Sequence, residues 1–167
     1  RGKTGFALEA MGELEYYVIC GKQPYYPVNA QKGYHESSPF SKWEHLRREA
    51  VRAIAQAGGK IKYAHSEVGH IRTEEQEMSQ HEIEFMPVPV EDAADQLTVA
   101  KWMLHIIGMK YGVVVSFAPK ISAGHAGSGL HIHTRLVKNG KNVMAGPDGL
   151  TDTAKKTAKK HKSNVII

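Results

Sequence analysis

Apolar and polar residues alternate in several stretches of this chain and recur at helical spacing in others. Glu13 to Ile19 reads Glu-Leu-Glu-Tyr-Tyr-Val-Ile, a strand with Glu13 and Glu15 on one side and Leu14 and Tyr16 on the other. Two acids on one face of an apolar strand are costly to bury unpaired, so that face is either a solvent-facing edge or a cation site. Residues 20–40, rich in Gly, Pro, Asn and Ser, read as loop. Trp43, Leu46, Ala50, Val51 and Ile54 then predict a helix over 42–57, ended by Gly58-Gly59. Ser41 and Glu44 form a capping-box pattern, in which the Ser41 side chain accepts the Glu44 N–H. Lys60 to Val68 alternates again, with Ile61, Tyr63, His65 and Glu67 on a core-like face that ends in an acid. His70 to Ser79 is polar and acidic and reads as a loop or short helical excursion. Gln80 to Phe85 is a strand with Gln80, Glu82 and Glu84 facing away from His81, Ile83 and Phe85, closed by Pro87 and Pro89.

Glu91 to Tyr111 is the longest helical pattern and is apolar on most sides, which predicts a buried helix stopped by Gly112. His105 within it reads as a core or edge histidine. Val113 to Ala118 is a β-branched strand, and residues 121–126 are loop. Gly127-Ser128-Gly129 feeds a strand whose Leu130, Ile132 and Leu136 form a core-ready face and whose His131, His133 and Arg135 form the other. Asn139-Gly140 is a strong hairpin turn signal, after which Asn142 to Ala145 pairs back and Pro147-Asp148-Gly149 turns again. Thr151 caps a last helix through Lys162 that lacks an adequate apolar face.

Length and composition narrow the class. A chain of 167 residues with 41% hydrophobic and 23% charged positions fits one globular domain. The net charge of +5 is matched by Lys155, Lys156, Lys159, Lys160 and Lys162 alone. The remainder is close to neutral, and no nucleic-acid partner is expected. The single Cys20 excludes an intrachain disulfide, and no apolar run approaches a membrane span or signal sequence, so the expected location is cytoplasmic.

The chemistry-bearing residues Glu13, Glu15, Glu67, Glu82, His131 and His133 all fall on predicted strands. Carboxylates gathered in one cleft repel unless a cation neutralises them, and an oxygen-rich set with one imidazole suits Mg²⁺ or Mn²⁺. The alternative is that these strands are simply the rims of a barrel.

The order Glu-x-Glu-Tyr-Tyr (13–17), Ser-Glu-Val (66–68), Gln-His-Glu-Ile-Glu-Phe (80–85), Phe-Ala-Pro-Lys (117–120), Gly-Ser-Gly-Leu-His-Ile-His (127–133) and Pro-Asp-Gly-Leu (147–150) resembles the glutamine synthetase catalytic domain. The resemblance implies an α+β fold, a curved and largely antiparallel sheet backed by helices. It makes residues 1–154 a partial catalytic domain and 155–167 a basic, poorly matching tail. It implies an ATP-dependent ligase that joins glutamate, or a related amino acid, to ammonia or an amine through γ-glutamyl phosphate. Glu15, Glu67 and Glu82 would hold one Mg²⁺ or Mn²⁺, Glu13 and His131 would contribute to a second, His133 would lie near the ATP phosphates, and Gly127 would sit in the substrate loop.

A homo-oligomeric ring is implied for the full-length protein. The family's flap acid and phosphate-gripping arginines have no counterpart here, so the catalytic groups are unassigned and the resemblance implies a fragment lacking efficient activity alone. Glu67 and Glu82 stand fifteen residues apart, about twice the family's usual separation, with the excess in 69–79. That leaves Glu74, Glu75 or Glu77 as an alternative ligand, or the excess as a substrate-side loop. Ala126 replaces an asparagine common before Gly-Ser-Gly, and Arg135 replaces a small polar residue. A non-catalytic, metal-binding or structural assembly protein of the same fold is the competing reading.

Overall fold

The computed structural model of the chain describes residues 4–161. In chain order the elements are β1 (Ala7–Gly21), α1 (Glu44–Gln56), β2 (Ile61–Arg72), β3 (Gln76–Phe85), β4 (Val88–Pro89), α2 (Val90–Lys110), β5 (Val114–Ser116), β6 (Leu130–Lys138), β7 (Lys141–Asn142), β8 (Ala145–Gly146), β9 (Gly149–Leu150) and α3 (Asp152–His161). The main sheet runs β2-β3-β1-β6-β7, with β4 and β5 also pairing to β1. Every pairing is antiparallel. The sheet curls into a half-barrel with the helices behind it, the α+β architecture that the sequence predicts.

Alternation along β1 decides which side is core. Leu14, Tyr16 and Val18 join Ile83 and Phe85 of β3 and Val115 of β5 against Leu46, Ala50 and Ile54 of α1 and Ala100, Leu104 and Ile107 of α2. Each fully buried Leu, Ile, Val or Phe side chain among them contributes about 1.5–3 kcal/mol. The opposite face of β1 carries Glu13 and Glu15. Asn139 and Gly140 make the tight turn into β7, both at positive φ.

Several local expectations are corrected. Trp43, left-handed at φ 60°, precedes α1, and no side chain caps that helix. Glu44 instead turns back, accepting the Ser38 N–H at 2.7 Å and pairing with Arg48, so the capping box does not form. In β2 the register shifts between Ile61 and Tyr63. Lys62 is the extra residue of this bulge, so Ile61 and Tyr63 do not share a face: Ile61 packs on the core, and Tyr63, His65 and Glu67 turn to the opposite side. Residues 70–79 are neither an open loop nor a helix but a hairpin, with only 73–75 in its turn. They extend β2 and β3 as a ladder, His70 opposite Ser79 and Arg72 opposite Glu77.

α2 is buried along one side only, with Trp102 and Met109 open to solvent. The back of β6 is not core either. Leu130 and Ile132 remain exposed, because α2 lies over β1 and β5. Thr151 receives the Ala154 N–H at the start of α3, while Lys162 lies outside the described residues. Among the described residues, no helix is long and apolar enough to cross a membrane.

Candidate functional site

The sheet face turned away from the helices is built rung by rung. Across β1 and β3 the register sets Glu13 opposite Glu84, Glu15 opposite Glu82 and Tyr17 opposite Gln80. Across β3 and β2 it sets Glu82 opposite His65. Across β1 and β6 it sets Glu13 opposite His131, Met11 opposite His133 and Glu9 opposite Arg135. Strand alternation therefore collects Glu13, Glu15, Glu67, Glu82, His131 and His133 on one surface, as their sequence spacing suggests.

Two clusters emerge. In the first, His65, Glu67 and Glu82 each present a ligand atom, all within 4.8 Å of one another. The His65 Nδ1–H donates to the Ser66 carbonyl at 2.9 Å, which aims Nε2 at Glu82 Oε2, 3.2 Å away. Burial alone would lower the His65 pKa, but the bonds to Glu82 and Ser66 and the charges of Glu82 and Glu67 outweigh it and raise it. Burial also pushes Glu15 upward; the Gly129 N–H opposes this, and Glu82 and Glu67 add to it.

In the second cluster Glu13 serves two imidazoles, with Oε2 3.0 Å from His131 Nδ1 and Oε1 2.8 Å from His133 Nε2. The bond to Glu13 raises the His131 pKa. An open groove lined by Glu9, Arg135, Asn139 and Asn142 continues this face past His133, with Arg135 Nη2 bonded to Glu9 at 2.7 Å.

The Gly127–Gly129 loop is pinned between the clusters. Glu15 Oε2 accepts the Gly129 N–H at 3.0 Å and the Gln80 side-chain amide at 2.7 Å. That amide also reaches the Gly127 carbonyl at 2.9 Å. A side chain at Gly127 would meet the Pro119 carbonyl oxygen at 2.3 Å, so only glycine lets the loop lie this close. Tyr17, its hydroxyl pushed up to about 12 chiefly by burial, donates to the Ala126 carbonyl at 2.7 Å. Ala126 is thus held through its backbone alone, its N–H going to Gln31.

Sequence reasoning put Gln80 on the face of Glu82 and His65 on the face of Glu67 but did not single out His65, Gln80 or Tyr17 as site residues. For Gln80 and Tyr17 the signal was present, since each lies two residues from an acid on the same face. For His65 the Lys62 bulge hid it.

The ladder over 70–79 rules out one alternative. Glu77 lies on the back of the sheet opposite Cys20, buried beside His70, and Glu74 and Glu75 are exposed in the turn. None of the three reaches the Glu82 cluster. The donor set that does converge, carboxylate oxygens with imidazole nitrogens and no thiolate, fits a hard divalent cation.

Sequence comparison decides the family. The glutamine synthetase catalytic domain matches residues 3–161. The chain belongs to that family. Among curated relatives, the glutamine synthetase of Thermus thermophilus is 33% identical over 150 residues, 87% of this chain and 32% of that protein. The Methanosarcina mazei glutamine synthetase is 32% identical over 149 residues, 87% of this chain and 32% of that protein. The chain therefore spans about a third of these relatives. A cryo-EM structure of Plasmodium falciparum glutamine synthetase shares the fold at TM-score 0.79 and 19% identity, covering 95% of this chain and 37% of that one. In glutamine synthetase terms, the six motifs that carried the resemblance all lie within the matched span.

Proposed function

We propose that this chain supplies the metal- and nucleotide-binding half of an ATP-dependent amide ligase of the glutamine synthetase type. The observation that carries this reading is the convergence of Glu15, Glu67, Glu82 and His65 on one patch, where like charge and burial hold the Glu15 pKa up. Such a patch is relieved by a dication. Glu15, Glu67 and Glu82 would hold Mg²⁺ or Mn²⁺ on the amino-acid side, with His65 oriented beside them, and Glu13 and His131 would contribute to a second ion on the phosphate side. His133 lies beside the ATP phosphates, and the groove past it takes the nucleoside end. The Gly127 loop bounds the amino-acid pocket.

Dications held by these residues would supply charge neutralisation for the transferring phosphoryl group and its alignment with the attacking carboxylate. The γ-carboxylate oxygen attacks the γ-phosphorus as the bond to ADP breaks. Ammonia or an amine then attacks the acyl carbon, releasing phosphate, which carries off the proton that the nitrogen loses, and leaving the amide. Gln80 and Tyr17 keep the loop seated over Glu15 while the acyl phosphate is shielded from water.

The family's remaining catalytic groups and its oligomeric ring belong to the full gene product, in the cytoplasm. The test is phosphate release or γ-glutamyl transfer by that product with glutamate, other amino acids and a panel of amines; inactivity towards all of them overturns the enzymatic reading. Ala126, whose side chain has no polar atom and whose backbone N–H and C=O are taken by Gln31 and Tyr17, favours the second reading, a non-catalytic relative. Calorimetric titration separates the two. Binding of Mn²⁺ together with an ATP analogue supports the ligase, and Mn²⁺ without nucleotide supports the relative.

A further inference from the structure

His65 stands outside the all-carboxylate set assigned above to the ion on the amino-acid side. The geometry groups a different three: ligand atoms of His65, Glu67 and Glu82 lie within 4.8 Å of one another. His65 and Glu67 are two residues apart on β2, and Glu82 stands directly opposite His65 on β3, so one face of one hairpin delivers all three. Glu15 is less free. Its Oε2 accepts both the Gly129 N–H and the Gln80 amide, which leaves Oε1 for an ion.

The surroundings of His65 prepare it to be a ligand. Its ring is 7% exposed, and Nδ1–H is fixed on the Ser66 carbonyl at 2.9 Å, so Nε2 faces Glu82. A metal-bound histidine ordinarily has just such a carbonyl or carboxylate on its second ring nitrogen, which sets both tautomer and orientation. Aromatic contacts fix the plane of the ring as well. It stacks on His35 at 4.4 Å and on Tyr63 at 5.5 Å between centroids, with Tyr34 edge-on at 5.4 Å. An imidazole among carboxylates also changes which ion the site favours. Mg²⁺ keeps to oxygen donors and water, whereas first-row transition ions accept nitrogen readily.

We propose that His65 Nε2 is a direct ligand of the ion held by Glu67 and Glu82, and that it biases this site towards a first-row transition dication such as Mn²⁺ over Mg²⁺. The inference rests on the metal reading of this face and adds to it a nitrogen ligand and a selectivity.

Pulsed electron paramagnetic resonance of this chain with one equivalent of Mn²⁺ tests it, because an imidazole nitrogen bound to Mn²⁺ modulates the electron spin echo. His131→Gln and His133→Gln together silence the second cluster. In that background the nitrogen modulation should be present, and it should disappear when His65→Gln is added. Calorimetric titration of the same two proteins gives the selectivity. Mn²⁺ should bind more tightly than Mg²⁺, and His65→Gln, which offers an amide oxygen in place of nitrogen, should narrow the ratio of the two affinities at least about tenfold. Circular dichroism confirms that the variants keep the fold. Mn²⁺ that does not bind at all overturns the metal reading of the face, and this inference with it. Mn²⁺ that binds without nitrogen modulation, or a modulation or affinity ratio that survives His65→Gln, leaves that reading standing and overturns this inference alone.

Discussion

On the concave side of β3, Glu82 stands among other acids; on its back, two residues of the same strand, Glu77 and His81, lie in the core. The back-face groups are closed off by partners from α1, β2 and the loop after β1. Arg47 Nη1 sits 2.7 Å from His81 Nδ1. Glu77 accepts the Gln23 N–H at 3.1 Å, and its other oxygen lies 3.1 Å from His70 Nε2, at an angle short of a true hydrogen bond. On the concave face Glu84 has Lys62, whereas Glu82 and Glu13 form ion pairs only with histidines among the described residues. The back face spends its buried charge on cohesion. The concave face keeps a surplus of negative charge, which suits it to receive a cation.

The sharpest way to break this contrast is to remove one acid from each side. Glu77→Ala strands a buried imidazole and a backbone N–H, and should cost about 3–5 kcal/mol in urea unfolding while leaving Mn²⁺ affinity unchanged. Glu82→Gln should shift metal-free stability by less than about 1 kcal/mol, since it also removes repulsion. Equal losses in the two variants would erase the distinction.

The next effect tests the seam between the faces. A side chain at Gly69 would meet the Tyr17 hydroxyl at 2.0 Å and Gln80 Oε1 at 2.4 Å. Gly69→Ala should therefore destabilise by about 1–3 kcal/mol, and calorimetry should show weakened Mn²⁺ binding as Gln80 is displaced from Glu15. Unchanged stability and binding would mean that Gln80, whose Oε1 accepts the Gly69 N–H at 2.9 Å, does not tie β2 to the loop.

Metal affinity comes third. Glu67→Gln and Glu82→Gln should each weaken Mn²⁺ binding at least about tenfold, or about 1.4 kcal/mol, in calorimetric titration. Affinity that survives both changes would place the cation elsewhere.

The smallest effect is a difference in pH response between two imidazoles. His65 has a raised pKa, so its share of stability is complete below its unfolded value of about 6.5 and is lost as pH rises through the folded value. His81 is held well below its ordinary value by burial and then by Arg47. Its contribution has the opposite sign: it is present above about 6.5 and lost as pH falls. Histidine titration by NMR should find His65 protonating first, and Glu82→Gln should move the His65 midpoint down. Coincident midpoints would mean that the two faces are electrostatically alike.

Much of this contrast was legible in the sequence, because strand alternation needs only the order of apolar and polar residues. Glu13 and Glu15 on β1, Glu82 on β3, and His131 and His133 on β6 declare a common face through the apolar residues between them. What stayed hidden depends on one-residue irregularities and on burial. The extra Lys62 inverts every side chain that precedes it in β2, a shift that no periodicity reports. His70 and Glu77 read as surface loop because polar residues ordinarily are; only their mutual proximity lets them be core. The exposed backs of α2 and β6 were read as core for the converse reason, since an apolar residue signals a preference and not a partner.

The great length of β1 also imposes an order on assembly. His65, Glu67 and Glu82 come from a local hairpin, complete once residue 85 has been made. Glu13 finds His131 across 118 residues of chain, so the Ala7–Leu14 stretch of that edge of β1 has no strand to pair with until β6 emerges, although β5 already pairs with Tyr17–Ile19. At about 5–20 residues per second, synthesis from residue 85 to 138 takes roughly 3–10 s. For that interval the nascent protein carries half of a binding surface and an open strand edge. A ribosome stall inside that window would therefore be more hazardous than one on either side of it.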